Sequence, residues 1–184
     1  MFNNWLIIYS KREKFQKHKV NNKDLIIKSN QREALKSMIG FLITGHSEFP
    51  KGLQSSLKMI AGNQNNLKVI KFKEEKALKD YQLEITKAVN KLQDENDGVI
   101  IFTDLLGGTP YKVSSIVASE YKNIEVVTGT NLPMLLEGTV LRHSVDNVSV
   151  LANVLIDSAK EGITSLSQVL ANTKNTKENV EEGI

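Results

Sequence analysis

The chain has 184 residues, 40% of them hydrophobic and 24% charged, which suits one globular domain and excludes a disordered chain or a collagen-like fibre. Cysteine is absent, so a disulfide framework, a thiolate nucleophile and a Cys-based metal site are excluded, in keeping with a reducing cytoplasm. The net charge of +3 is unevenly spread: residues 1–37 hold nine Lys/Arg and three Asp/Glu, the remainder 15 basic and 18 acidic residues.

In chain order, residues 1–37 read as a basic leader. MFNNWLIIYS is not a secretion signal, because its positive charges follow the apolar patch instead of preceding it. A basic leader suits a nucleic-acid arm, but the favoured reading is a solvated extension, a non-native segment or a start assigned too far upstream, with no nucleic-acid partner. Met38, which opens the run MIGFLIT, makes a natural true start. IGFLIT (39–44) and VIIFTDL (99–105) are near-continuous apolar runs, as in strands buried on both faces of a parallel sheet. Such runs are far shorter than the ~20 residues of a membrane helix, which excludes a membrane protein.

LKVIKF (67–72) and IEVVTG (124–129) are half-polar strands expected nearer the sheet edges. Leu53, Leu57 and Ile60 form one helical stripe, closed by Gly62. Leu78, Tyr81, Ile85, Ala88, Val89 and Leu92 form a longer one. DENDG (94–98) is a turn before the third strand. Thr109-Pro110 reads as a helix start with Thr109 as the cap, another helix follows Asn131, and a last one runs from Asp146 to Lys160. The domain is taken as 38–170, and 171–184 as a polar, frayed tail. This β-α-β-α-β alternation predicts an α/β, doubly wound, mainly parallel sheet with flanking helices.

In such sheets ligands bind beyond the carboxyl ends of the strands, where strand order reverses. Three segments leave strands at that rim: TGHSEFPKGL, DLLGGTP and TGTNLPML. His46 follows a buried strand and Gly45, and Asp104 leaves the other central strand. A histidine oriented by a carboxylate has one ring nitrogen fixed as a donor and the other free as a nucleophile. Asp104 taken alone reads equally as a turn residue. Gly107 and Gly108 let the backbone approach a ligand, and the helix start at Thr109 offers free N–H groups to an anion. Together these suggest phosphoryl transfer through phosphohistidine.

Rival chemistries lack their motifs. There is no GxxxxGK[ST], no GxGxxG after a strand and no GxSxG elbow. His18 and His143 have no metal-ligand spacing with any partner, and neither is assigned a role.

ITGHSEFPKGL, DGVIIFTDLLGGTP and VVTGTNLPML, in this order and spacing, resemble the IIA component of the mannose-type sugar phosphotransferase system (PTS). The resemblance covers residues 38 to about 170. It implies a cytoplasmic, homodimeric phosphocarrier with no cofactor or metal. The phosphorylated histidine falls on His46, the acidic residue that bonds its ring on Asp104, and the hydroxyl that helps hold the phosphoryl group on Thr109, beside Gly107 and Gly108. The implied donor is phospho-HPr, the acceptor a separate IIB chain, and the IIC/IID membrane complex is reached through IIB. The resemblance also implies an antiparallel edge strand exchanged between subunits, in the place of EGITSL (161–166).

Three positions depart from the family pattern: Ser47 stands where glycine is usual, Pro50 where a small residue is common, and Lys112 where asparagine often stands. The sugar is not specified. A phosphocarrier feeding dihydroxyacetone kinase, and a non-catalytic regulatory module of the same fold, are the alternatives. GGTP and NLPML favour sugar transport over the first, and the presence of both His46 and Asp104 argues against the second.

Overall fold

The computed structural model describes residues 38–171. The basic leader with His18, and the tail from 172, lie outside the described residues, as do the expectations attached to them. Four strands are present: β1 (Ile39–His46), β2 (Leu67–Phe72), β3 (Gly98–Phe102) and β4 (Ile124–Val127). Five longer helices join or follow them among the described residues: α1 (Phe49–Ala61), α2 (Leu78–Glu95), α3 (Thr109–Ala118), α4 (Leu132–Leu141) and α5 (Val148–Glu161).

The strands pair in the order β2-β1-β3-β4, and all three pairings are parallel. The chain builds outward from β1 to β2, then crosses back to place β3 on the other side of β1. Strand order therefore reverses between β1 and β3, which opens a crevice at their carboxyl ends. The half-polar strands β2 and β4 are the edges, as their mixed composition predicts.

Alternation along β1 and β3 feeds two separate cores. Ile39, Phe41, Ile43, Ile100 and Phe102 face α1, α4 and α5, and meet Leu57, Leu135, Leu151 and Leu155. Leu42, Val99 and Ile101 face α2 and α3, and meet Tyr81, Ile85, Val89, Leu92, Val113 and Val117. Both faces of the central strands are dry, which is why their sequence reads as an unbroken apolar run.

Several predicted details shift. Thr109 is not the cap of α3; the cap residue is Gly108, and Thr109 and Pro110 form the first helical positions. Ile60 and Leu78 lie at helix ends and are exposed, outside the stripes assigned to them. Asn147 caps α5 by accepting the Val150 N–H at 3.0 Å, so that helix starts at Val148 rather than Asp146.

EGITSL forms no strand. Glu161 ends α5, Ile163–Ser165 carry no regular structure, and residues 166–171 are helical. Ser165 and Gln168 explain this with a reciprocal cap: the Gln168 N–H donates to Ser165 Oγ at 3.3 Å, and the Ser165 N–H donates to Gln168 Oε1 at 3.0 Å. Among the described residues the sheet is all-parallel. No helix of these residues is long and apolar enough to cross a membrane.

Candidate functional site

His46 is the last residue of β1, and Asp104 follows β3 by two residues, so adjacent parallel strands deliver both to the crevice. Asp104 Oδ2 accepts two hydrogen bonds from His46, one from its backbone N–H at 2.7 Å and one from ring Nδ1 at 2.8 Å. Asp104 Oδ1 accepts the Leu105 N–H at 2.8 Å. A neutral ring bound to a carboxylate through Nδ1 carries its proton there, so the lone pair resides on Nε2.

The His46 side chain is 46% exposed and that of Asp104 13%, so the nucleophile reaches solvent while its partner is screened. Burial pushes the Asp104 carboxyl up, but the His46 N–H, the His46 ring and the Leu105 N–H together outweigh it and hold it below the ordinary 3.8.

This contact requires close backbone approach. A Cβ on Gly45 would lie 2.8 Å from Phe49 Cδ1 and 3.0 Å from the Asp104 carboxyl, so no other residue fits between the strand and the carboxylate. Gly108 packs on the imidazole itself, where an added Cβ would come within 3.1 Å of His46 Cε1. Gly107, with φ +77°, makes the turn that brings it there. The amino end of α3 therefore abuts the ring on the side between its two nitrogens.

Within that turn the Gly108 N–H is committed to Leu105 O at 3.1 Å, and Pro110 has none. The N–H groups of Thr109 and Tyr111 have no helical acceptor, and they point along the positive end of the helix dipole. The first helical bond is that of Lys112 N–H to Gly108 O at 3.0 Å. All five predicted site residues thus gather at one place: His46 and Asp104 bonded, Gly108 on the ring, and Gly107 and Thr109 on either side of it.

The third rim segment plays another part. Thr130 gives both its N–H and its hydroxyl to Thr103 O, at 3.2 and 2.7 Å, and Asn131 caps α4 by accepting the Met134 N–H at 3.1 Å. TGTN thus braces the end of β3 from which Asp104 departs. His143 lies in the turn after α4, away from the crevice.

Two features escaped the sequence reading. Ser47 adopts φ +50°, the left-handed region where glycine is at ease, which accounts for glycine's fitness at this position. Phe72, at the end of β2, stands edge-on to the imidazole with centroids 5.6 Å apart. The in-register end of LKVIKF against the end of β1 was its only signal.

The family model described as "EIIA-man: PTS system fructose IIA component" matches residues 40–155. The chain is similar to the "PTS system fructose-specific EIIA component" of Bacillus subtilis, 32% identical over 64% of this chain and 80% of that one. It is also similar to the "PTS system sorbose-specific EIIA component" of Lacticaseibacillus casei, 33% identical over 74% of this chain and 96% of that one. Among solved structures, a phosphotransferase system component EIIA from Streptococcus agalactiae superposes with a TM-score of 0.64 at 36% identity, covering 71% of this chain and 99% of that one. A chain whose central 116 residues match that model, and which covers 80% to 99% of these three EIIA components, belongs to the mannose-type EIIA family of the sugar phosphotransferase system.

Proposed function

We propose that this protein is a phosphocarrier that accepts a phosphoryl group on His46 Nε2 from phospho-HPr and passes it to a histidine of a IIB chain. The observation that carries this reading is the His46–Asp104 pair, which commits Nδ1 and leaves Nε2 as the nucleophile against the amino end of α3.

The transfer proceeds by in-line attack. The Nε2–P bond forms as the donor's P–N bond breaks, and the bonding pair stays with the donor imidazole, which carries a proton on its other ring nitrogen and so leaves neutral. The His46 ring keeps its Nδ1 proton and becomes cationic, and the Asp104 carboxylate beside it offsets that charge. Transfer onward to IIB is the same step in reverse. The equatorial oxygens are held by the Thr109 and Tyr111 N–H groups and by the Thr109 hydroxyl, which makes no hydrogen bond within the described chain. A phosphohistidine donor is already activated, so the step needs no nucleotide.

Docking falls to the surface around the crevice. Leu105 and Leu106, 61% and 68% exposed, follow Asp104 directly and offer an apolar contact for protein partners. The proposed assembly is a homodimer, in which the apolar residues from Ile163 onward cover the open edge of β4 on a second copy.

The test is incubation with Enzyme I, HPr and labelled phosphoenolpyruvate. The wild-type chain takes up acid-labile phosphate, His46→Ala takes up none, and His143→Ala and His18→Ala behave as wild type. Undiminished labelling of His46→Ala would remove the basis of this reading.

A further inference from the structure

Asp104 fixes one nitrogen of the His46 ring, and a single hydrogen bond leaves the ring free to tip about the Nδ1···Oδ2 line. A second constraint lies beneath it. Parallel register pairs His46 with Phe72, and the Ser47 N–H donates to Phe72 O at 2.8 Å, so the two residues are locked side by side. The Phe72 ring stands at 80° to the imidazole on one side, and on its other side lies Tyr81, with centroids 4.9 Å apart.

Tyr81 is fully buried, and its hydroxyl lies 2.5 Å from Thr44 Oγ1. The only proton of the Thr44 hydroxyl goes to Ile70 O at 2.8 Å, so Tyr81 is the donor in the pair. One hydroxyl pair therefore ties α2 to both β1 and β2, two residues upstream of His46 and of Phe72. The chain Thr44–Tyr81–Phe72–His46 runs from the sheet interior to the reacting ring without a gap.

We infer that Phe72, backed by Tyr81 and Thr44, is a positioning residue for phosphoryl transfer: it holds the imidazole plane so that Nε2 faces the amino end of α3 while Nδ1 stays on Asp104. The inference rests on the reading of His46 as the phosphoryl acceptor. The ring is then constrained at three points, by Asp104 at Nδ1, by Gly108 at Cε1 and by Phe72 across its edge. Because a small misplacement of a reacting atom is costly, an untethered ring transfers roughly 10-fold more slowly even when its nitrogens are chemically unchanged.

The experiment uses the full chain carrying Phe72→Leu, Phe72→Tyr or Tyr81→Phe. Single-turnover transfer from phospho-HPr is followed beside the nitrogen-15 spectrum of the unphosphorylated His46 ring. Phe72→Leu is expected to slow transfer at saturating donor about 10-fold with the half-saturating concentration unchanged, and to lower the Nδ1–H tautomer fraction. Phe72→Tyr, which keeps the ring, is expected to restore both. Tyr81→Phe, which deletes only the pinning hydroxyl, shifts both in the same direction by less.

A Phe72→Leu chain with wild-type saturated rate and an unchanged ring spectrum overturns the inference. So does a loss confined to the half-saturating concentration, which would make Phe72 a docking contact. If the wild-type chain takes no phosphate on His46, the phosphocarrier reading fails separately, while the ring spectrum still decides whether Phe72 holds the imidazole.

Discussion

Both oxygens of Asp104 are occupied by N–H donors, two from His46 and one from Leu105, and this decides what a change there does. An asparagine in either amide orientation turns its own NH2 toward an N–H that needs an acceptor, so the isosteric change loses geometry as well as charge. Asp104→Asn is expected to fold and yet slow phosphoryl uptake roughly 10- to 1000-fold, as read by quenched-flow labelling. It also alters the pH response. The folded chain favours the ionised carboxylate, so this contribution to stability is present above the ordinary carboxylate pKa and is lost as pH falls through the lowered folded value. Urea midpoints measured against pH are therefore expected to fall less steeply in acid for Asp104→Asn than for wild type. An identical acid limb in the two chains would mean that the bonds to Asp104 do not favour its charge.

At the level of elements, close approach between backbone and helix fixes how the layers sit. Gly98 opens β3 where α5 crosses it, and a Cβ there would lie 2.2 Å from Val148 Cγ2 and 3.0 Å from Asn123 O. Gly98→Ala is expected to destabilise the domain by about 1–3 kcal/mol, seen as a lower urea midpoint with an unchanged slope. A midpoint equal to wild type would show that α5 shifts freely.

The same elements show what a sequence can reveal. β1 and β3 were legible because burial on both faces leaves no polar alternation, and the rim residues followed from the doubly wound rule. The start of α3 differs by one residue from what the sequence implies, because Thr109 is a good cap by type while Gly108, packed against the His46 ring, takes the cap conformation. The family position of EGITSL implies a strand, yet Ser165 and Gln168, three residues apart, cap a helix start there. Phe72 was not legible as a neighbour of His46, because its position depends on the pairing register of β2. Arg142 was also hidden. It is 2% exposed beyond α4, lies over the Phe41 ring and donates to Asn65 O at 2.8 Å, and nothing in the local pattern announces a buried guanidinium.

For the molecule as a whole, two of the exposed apolar places bear on its proposed partners. One is the Leu105–Leu106 pair at the crevice; the other begins at Ile163 and Leu166, 75% and 74% exposed, beyond the last core helix. The second, together with the edge of β4 that no described strand covers, is the basis for the proposed dimer. A chain truncated after Lys160 is expected to run as a monomer by light scattering, and an equally stable dimer would refute the proposed interface. A chain starting at Met38 is expected to keep its fold and its transfer rate, because β1 begins at Ile39 and the site lies at the opposite end of that strand.

The proposed chemistry of the crevice turns on which atom carries the phosphoryl group. The measurement is phosphorus-31 and nitrogen-15 correlation on the chain phosphorylated by phospho-HPr. The expected spectrum shows one phosphoramidate, coupled to Nε2 of His46, with the Nδ1 proton retained and still bonded to Asp104. Phosphorus coupled to His46 Nδ1, or to any nitrogen of His143, would contradict it.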